Sequence, residues 1–181
     1  RSAAEWLPDG GKTLNQRKGI PMDQLLQILS GNARLEPKQI AVMTGETEEA
    51  VAARIAQYEH DGVIRGYKPL IDYDKLPETE RVEAFIEVRV SPKLNYGFEE
   101  IAHTVADFDE VRSVYLMSGG YDLLVQVEGK SFKDIALFVS QRLSPLEGVL
   151  STATHFLLSR YKEQGVLMGQ QGIDERRNVS F

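Results

Sequence analysis

Apolar residues recur at helical spacing in the first third of the chain. Met22, Leu25, Leu26 and Leu29 lie three or four positions apart and share one helix face. Ser30-Gly31-Asn32 then interrupts the pattern. This stretch therefore predicts a short amphipathic helix.

Two more helices are predicted directly after it. Pro37 suits the first turn of the second helix, and Gly45 lies where a C-terminal glycine is expected. Thr47 can cap the third helix, which should end at Asp61-Gly62. The buried stripe of that helix is then Val51, Ile55 and Tyr58. Such a helix-turn-helix unit typically places its last helix in a DNA major groove, and residues 63–71 read as an extended wing strand beside it.

The second half of the chain mixes strand and helix patterns. Strands are predicted at 82–90, 111–117, 121–128 and 149–158, and helices at 97–106 and after Ser131. In the last helix the apolar stripe is Phe132, Ile135, Ala136, Val139 and Leu143. The order β-α-β-β-α-β is that of a ferredoxin-like fold. The fold class is therefore α+β: an N-terminal winged helix-turn-helix domain followed by a ferredoxin-like antiparallel α/β sandwich.

Two helices can cover only one face of a four-stranded sheet. We assign to the open face the apolar residues Phe85, Val114, Leu116, Leu124 and Phe156 or their neighbours, mixed with Glu87, Arg89 and Gln126. A soluble protein usually buries such a face against a partner, which predicts a homodimer, with a tetramer or octamer as larger alternatives. A one-residue slip in this assignment would exchange the two faces of a strand.

The predicted domains are a helix-turn-helix domain at 22–71, a linker at 72–80, a ferredoxin-like domain at 81–162 and a C-terminal tail at 163–181. Residues 1–21 lack periodicity. Because Met22 opens the first periodic segment, we expect natural translation to start there and residues 1–21 to derive from an expression vector. A native basic arm that helps to hold DNA is the alternative.

Composition excludes several classes of chemistry. The 181 residues contain no cysteine, which excludes disulfides, thiolate metal sites and a cysteine nucleophile. The three histidines, His60, His103 and His155, have no metal-ligand spacing, so no metal site is predicted. No apolar run approaches the roughly 18 residues of a membrane span. We therefore expect a cytoplasmic protein without a membrane partner.

Several motifs together resemble one family. The residues Ile40-Ala41, Gly45, Val51, Arg54-Ile55, Glu59, Gly62-Val63-Ile64 and Gly66-Tyr67 closely resemble the N-terminal domain of the Lrp/AsnC (feast/famine) regulators of prokaryotes. A glycine followed three residues later by aspartate marks the family's sensing domain, and Gly119 and Asp122 match it. The resemblance extends from Met22 to about Lys162. It implies an amino-acid-responsive, DNA-binding transcriptional regulator.

The resemblance places a small effector between neighbouring dimers, near residues 118–122. A zwitterion needs N–H or hydroxyl donors for its carboxylate and an anionic acceptor for its ammonium group. Glycines in this turn can also take positive φ and leave their amides open. The candidate effector-binding residues are Ser118, Gly119, Gly120, Tyr121, Asp122, Thr152 and Thr154. Tyr121 either lines the ligand pocket or packs in the sheet. Apart from this effector, no cofactor is predicted.

The DNA-binding half carries a conflicting signal. The net charge of the chain is −6, and residues 22–75 hold six Lys and Arg against nine Asp and Glu, a balance of −3. Glu46, Glu48 and Glu49 gather at the start of the recognition helix, where carboxylates repel phosphates. The candidate DNA-binding residues are Arg34, Lys38, Thr47, Arg54, Arg65 and Lys68. Arg54 either contacts a phosphate or pairs with Glu49 or Glu59.

Two other functions remain open. The acidic recognition helix is compatible with an oligomeric ligand sensor that has lost DNA binding. Some proteins with the same domain pair are enzymes that act on tetrapyrroles, but the three histidines form no matching constellation. We therefore predict that the chain is not an enzyme.

Overall fold

Three helices form the first unit of the chain in a computed structural model, which describes residues 23–76, 80–91 and 98–168. They are α1 (Gln24–Gly31), α2 (Pro37–Thr44) and α3 (Glu48–His60). Their core consists of Leu25, Leu29, Ile40, Ala41 and Val51. The three predicted helices are confirmed. The predictions for residues 1–21 fall outside the described residues.

The helix ends follow the predicted chemistry. Thr47 accepts a hydrogen bond from the amide of Ala50 at 3.2 Å, so it caps α3 as expected. Gly45 ends α2 in the left-handed region, with φ of 75°, which costs a glycine little. Both features fix the turn between α2 and α3.

The wing strand predicted over residues 63–71 is not formed. The amides of Val63 and Ile64 both donate to the carbonyl of Tyr58, at 2.9 and 3.0 Å, which folds the chain back over the end of α3. No described segment pairs with residues 63–71 through a ladder of hydrogen bonds. An extended sequence pattern becomes a strand only where a neighbouring segment accepts its hydrogen bonds.

The second unit begins after Pro69. Its strands are β1 (Val82–Val90), β2 (Val111–Leu116), β3 (Leu123–Gly129) and β4 (Val149–Phe156), and its helices are α4 (Phe98–Ala106) and α5 (Phe132–Phe138). The antiparallel sheet has the order β2-β3-β1-β4. The ferredoxin-like order β-α-β-β-α-β is confirmed.

Two shorter elements flank this sandwich. A 3₁₀ turn at Tyr73–Lys75 lies in the stretch predicted as a linker, and Asp72 pairs there with Lys75 at 3.3 Å. A hairpin of β5 (Lys162–Glu163) and β6 (Val166–Leu167) occupies the start of the predicted tail. Among the described residues, no helix is long and apolar enough to cross a membrane.

The core lies between the sheet and its two helices. The central strands contribute fully buried side chains at alternate positions: Ala84, Ile86, Val88, Leu123, Val125 and Val127. The helices contribute Ile101, Val105, Ile135, Phe138 and Leu143. Because alternate strand residues point to opposite faces, the register also defines the open face.

The open face differs from the predicted one at three positions. Val114 pairs with Val125, Leu116 with Leu123, and Phe156 with Ala84, so all three lie on the helix-covered face. In β2 the register shifts between Val111 and Ser113. The register of β2 on β3, and that of β4 on β1, is one residue away from the predicted register, which exchanges the two faces of each strand. The open face instead presents Phe85, Leu124, Tyr115, Ala153 and His155 with Glu87, Arg89 and Gln126.

The predicted stripe of the last helix is also wrong in part. Phe132 is 58% exposed and meets the ring of Phe156 edge-on, with 4.8 Å between centroids. The buried residues are Ile135, Phe138 and Leu143. After Phe138 the helix continues as a π turn over Val139–Leu143, which adds a residue to the turn and changes the spacing.

Candidate functional site

Helix α3 turns one side toward the core and the other toward solvent. Val51 is fully buried, and Ile55 and Tyr58 pack beside it. The opposite side exposes Glu48, Glu49, Ala52, Ala53, Ala56 and Gln57. Ala52, Ala53 and Ala56 have short side chains, so the middle of this surface could approach a groove closely.

Arg54 ties α3 to the cap of α1 and to the turn that precedes α3. Its Nη1 lies 2.7 Å from Glu46 Oε1 in the turn before α3, and its Nη2 donates to Asp23, which caps α1. The hydroxyl of Tyr58 donates to the same Asp23 carboxylate. The predicted partners, Glu49 and Glu59, were wrong. We call Asp23, Glu46, Arg54 and Tyr58 the helix clamp.

The helix clamp changes the charge at the start of α3. Because Glu46 pairs with Arg54, one of the three glutamates there is neutralised. Glu48 and Glu49 remain in the first helical turn, where they interact favourably with the positive end of the helix. The pair also occupies Arg54, which bridges two carboxylates, so the balance of −3 over residues 22–75 is unchanged and only the position of the free charge differs.

The clamp also shifts three pKa values. Hydrogen bonds from Arg54 and then Tyr58 lower the pKa of Asp23 to about 2. The hydrogen bonds that Arg54 donates to Asp23 and, to a smaller extent, to Glu46 raise the pKa of Arg54. Hydrogen bonding to Asp23 raises the pKa of Tyr58. All three groups therefore keep their charge states across the neutral range.

These shifts predict acid sensitivity of the first unit. A carboxylate whose pKa is lower in the folded state stabilises the fold above its unfolded pKa, and that stability is lost as the pH falls through the folded value. Lowering the pH from 4 to 2 should cost about 1 kcal/mol from Asp23, after allowance for its partial exposure. Urea denaturation at several pH values measures this. In Asp23→Asn, which keeps a capping oxygen, this part of the pH dependence should disappear.

The other candidate DNA-binding residues are exposed around the helices. Arg34 lies between α1 and α2, and Lys38 lies in the first turn of α2. Arg65 folds back over Gly62, where an added Cβ would lie 3.1 Å from its Cζ. Lys68 follows in the segment after α3. Thr47 uses its oxygen to cap α3.

The candidate effector residues begin in a loop rather than in a tight turn. β2 ends at Leu116 and β3 begins at Leu123, and the amide of Met117 closes the loop on the carbonyl of Asp122 at 2.8 Å. Gly119 and Gly120 lie outside the positive-φ region, contrary to expectation. A Cβ added to either would meet no atom within 4 Å. The loop therefore borders open space at both glycines, and a larger side chain would also fit there.

Asp122 has a structural role that the sequence did not reveal. Its Oδ2 accepts the amide of Val90 at 2.8 Å, and its own amide donates to the carbonyl of Val88 at 3.0 Å. The Asp122 side chain thus continues the hydrogen bonding between β1 and β3 past Leu123, the first residue of β3. The sequence does not give the residue-by-residue pairing of the strands, and that pairing is what places this carboxylate opposite the amide of Val90.

The two threonines lie at the same end of the sheet but on another strand. Thr152 pairs with Val88 and Thr154 with Ile86, so both face the helix-covered side. Thr152 Oγ1 lies 3.2 Å from Ser144 Oγ. Since β1 separates β4 from β3, Thr152 is about 10 Å from the β3 position opposite Val88. Within one chain, the loop and the threonines do not meet.

Tyr121, at the loop, is half-buried.

Comparisons with known proteins decide the family. Residues 83–167 match the family described as the Lrp/AsnC ligand binding domain. The chain is 44% identical to an uncharacterized HTH-type transcriptional regulator, YugG of Bacillus subtilis, across 86% of this chain and 93% of that relative. The chain belongs to the Lrp/AsnC family. Another relative, the HTH-type transcriptional regulator LrpA of Pyrococcus abyssi, is 30% identical over 76% of this chain and 94% of its own length.

A solved structure of a transcriptional regulator has a similar fold. The transcriptional regulator from Neisseria meningitidis, determined as a complex with L-Met, superposes with a TM-score of 0.63 at 26% identity. The match covers 77% of this chain and 88% of that one. The regulator interpretation is thus confirmed at the level of the family. YugG, LrpA and the Neisseria meningitidis protein are all named as regulators rather than enzymes.

Proposed function

We propose that this Lrp/AsnC regulator binds double-stranded DNA through α3 and changes its DNA affinity when an amino acid binds at the β2–β3 loop. The observation that carries the DNA half is the helix clamp, which fixes α3 against the cap of α1 and leaves the side with Ala52, Ala53 and Ala56 exposed. Arg34, Lys38, Arg65 and Lys68 are the proposed phosphate contacts. Such contacts orient a recognition helix, and the short side chains of α3 permit close approach to the bases.

The effector half rests on the loop. The backbone at Gly119 and Gly120 has open space beside it, and Asp122 has a second carboxylate oxygen besides the one that accepts from Val90. Amide donors suit a ligand carboxylate, and the Asp122 carboxylate suits an ammonium group. The Neisseria meningitidis regulator was solved with L-Met. We therefore assign an amino acid, rather than an organic cofactor, to this loop.

The proposed site is completed by a second copy of the chain. Thr152 and Thr154 lie too far from the loop of their own chain, whereas a neighbouring copy could bring its threonines or its loop to the ligand. An effector that prefers one assembly over another would then alter the spacing of paired recognition helices. The protein would carry out this regulation in the cytoplasm.

We propose that the open sheet face forms the homodimer, from which tetramers or octamers could assemble. Leu124→Glu places a charge in the middle of this face and should convert dimers to monomers in sedimentation velocity runs. Leu116→Glu is the matched control, because Leu116 is 64% exposed on the other face of the same sheet. Equal dissociation of both variants, or of neither, would argue against this interface.

Salt dependence tests the DNA contacts. For a protein that neutralises phosphates, the logarithm of affinity falls linearly with the logarithm of salt concentration. Lys38→Ala should weaken binding to all DNA sequences and reduce that slope by about 1 for each bound copy of the chain. Lys133→Ala, an exposed lysine on α5, is the control and should leave the slope unchanged. If both variants behave like the wild type, Lys38 is not a phosphate contact.

A further inference from the structure

Strand β4 lies at one end of the sheet and has a free edge. The sheet order is β2-β3-β1-β4, and among the described residues β4 pairs only with β1. The amide of Leu157 donates to the carbonyl of Glu83 at 2.9 Å, which fixes the alternation of hydrogen bonds along this pair of strands. By that alternation, the backbone groups of Thr152, Thr154 and Phe156 point away from β1. Their amides and carbonyls therefore lie along the free edge of β4.

This edge lacks the features that usually protect an edge strand. Charged side chains, prolines and bulges keep exposed edges from pairing with other chains. The strand at the opposite end of the sheet, β2, has both the charged Arg112 and a register shift after Val111. Residues 151–158 contain no lysine, arginine, aspartate, glutamate or proline, and the register shift between β1 and β4 lies before them. The edge of β4 is therefore open to another strand.

Two large apolar residues flank this edge. Leu150 is 67% exposed and Leu158 is 90% exposed, and each lies four residues from Thr154. An antiparallel copy of β4, related by a two-fold axis at Thr154, would therefore bring Leu150 of one copy beside Leu158 of the other. Such a contact would cover, at both of its ends, apolar surface that a single chain exposes to water.

The same register suits the residues between these leucines. It pairs Thr154 with Thr154, and Thr152 with Phe156 of the other copy, so the outward amides of each strand meet outward carbonyls. His155 then lies opposite Ala153 rather than opposite a second histidine, and no like charges meet. A β4 strand thus fits a second β4 strand, whereas it offers no charged group to select a charged peptide.

We propose that β4 pairs edge to edge with β4 of a second copy, in the antiparallel register centred on Thr154. The two four-stranded sheets are then continuous across the contact. The pairing uses only the backbone of Thr152 and Thr154, whose side chains stay on the helix-covered side. It also leaves the open sheet face free, so one chain can use both interfaces and build assemblies larger than a dimer. Because the edge is smaller than the face, the edge contact forms at higher protein concentration.

Amide hydrogen exchange of the full chain, labelled at several protein concentrations and read by NMR, tests this pairing. At high concentration the three outward amides of β4 should exchange at least about 100-fold more slowly than the outward amide of Leu116 on β2. Dilution should abolish this difference, while the inward amide of Ala153, which bonds to β1, stays protected. Fast exchange at every concentration overturns the proposal. Slow exchange that survives dilution to the monomer also overturns it, since the chain would then cover its own edge.

Charge substitutions test the register, with the association constant taken from the concentration dependence of exchange. Leu150→Glu and Leu158→Lys each place a charge beside a leucine of the other copy and should each weaken association about tenfold. A chain with both substitutions should recover to within about threefold of the wild type, because opposite charges then meet between copies. Leu150→Glu combined with Val42→Lys, an exposed residue of α2, is the control and should stay weak. Recovery in both combinations, or in neither, overturns the proposal.

Leu124→Glu separates the edge contact from the homodimer of the proposed function. This substitution lies on the open face, so it should dissociate that homodimer at low concentration. At the concentration where the outward amides of wild-type β4 exchange slowly, they should exchange slowly in Leu124→Glu as well. If the variant loses slow exchange together with the homodimer, the protected edge belongs to the open-face interface and the proposal fails.

Discussion

Arg54→Ala should lower the free energy of unfolding of the helical unit by about 2 kcal/mol. The substitution removes the partner of Glu46 and one of the two side chains that bind Asp23, so α3 loses its ties to the cap of α1 and to the preceding turn. An exposed ion pair contributes at most about 1 kcal/mol, but a network that also fixes a helix cap contributes more. Urea denaturation, followed through NMR signals of α1 to α3, measures the loss.

The control for this prediction is Arg34→Ala. It removes the same charge from an exposed residue outside the clamp and should change stability by less than about 0.5 kcal/mol. DNA binding by Arg54→Ala should fall only in proportion to the unfolded fraction. A large loss of DNA affinity in fully folded protein, with a reduced salt slope, would instead make Arg54 a phosphate contact.

Asp122 should show two separable effects. Asp122→Ala leaves the amide of the buried Val90 without its acceptor and should cost about 1–3 kcal/mol of stability. Asp122→Asn keeps an acceptor oxygen and should cost less than about 1 kcal/mol. Because it removes the negative charge, however, it should weaken the amino-acid response at least about tenfold.

Thermal denaturation and effector titration together distinguish the two roles. If Asp122→Asn is stable and still responds like the wild type, the residue only extends the sheet and does not contact the effector. If both variants lose stability equally, the hydrogen bond to Val90 depends on the charge rather than on the acceptor alone.

Local patterns predicted the elements well because short-range chemistry determines them. Thr47, Gly45 and the apolar stripe of α3 each act within one or two helical turns, so their positions in the sequence were sufficient. The wing strand failed for the opposite reason. Residues 63–71 have the composition of a strand, but whether they form one depends on a neighbouring segment that the local sequence does not specify.

Long-range contacts could not be predicted in the same way. Arg54 has potential partners in Glu49 and Glu59, each five residues away, yet it pairs with Asp23, which lies 31 residues earlier. The faces of β2 and β4 depend on register, which a single bulge shifts.

The most direct measurement of the proposed function is fluorescence anisotropy of a labelled DNA fragment from the gene's own upstream region. Titrations at two salt concentrations, with and without pooled amino acids, measure DNA affinity and its response together. The proposed function predicts saturable, salt-sensitive binding that the amino acids shift. Absence of binding to this fragment and to competitor DNA under all conditions would contradict it, and would favour a ligand sensor that does not bind DNA.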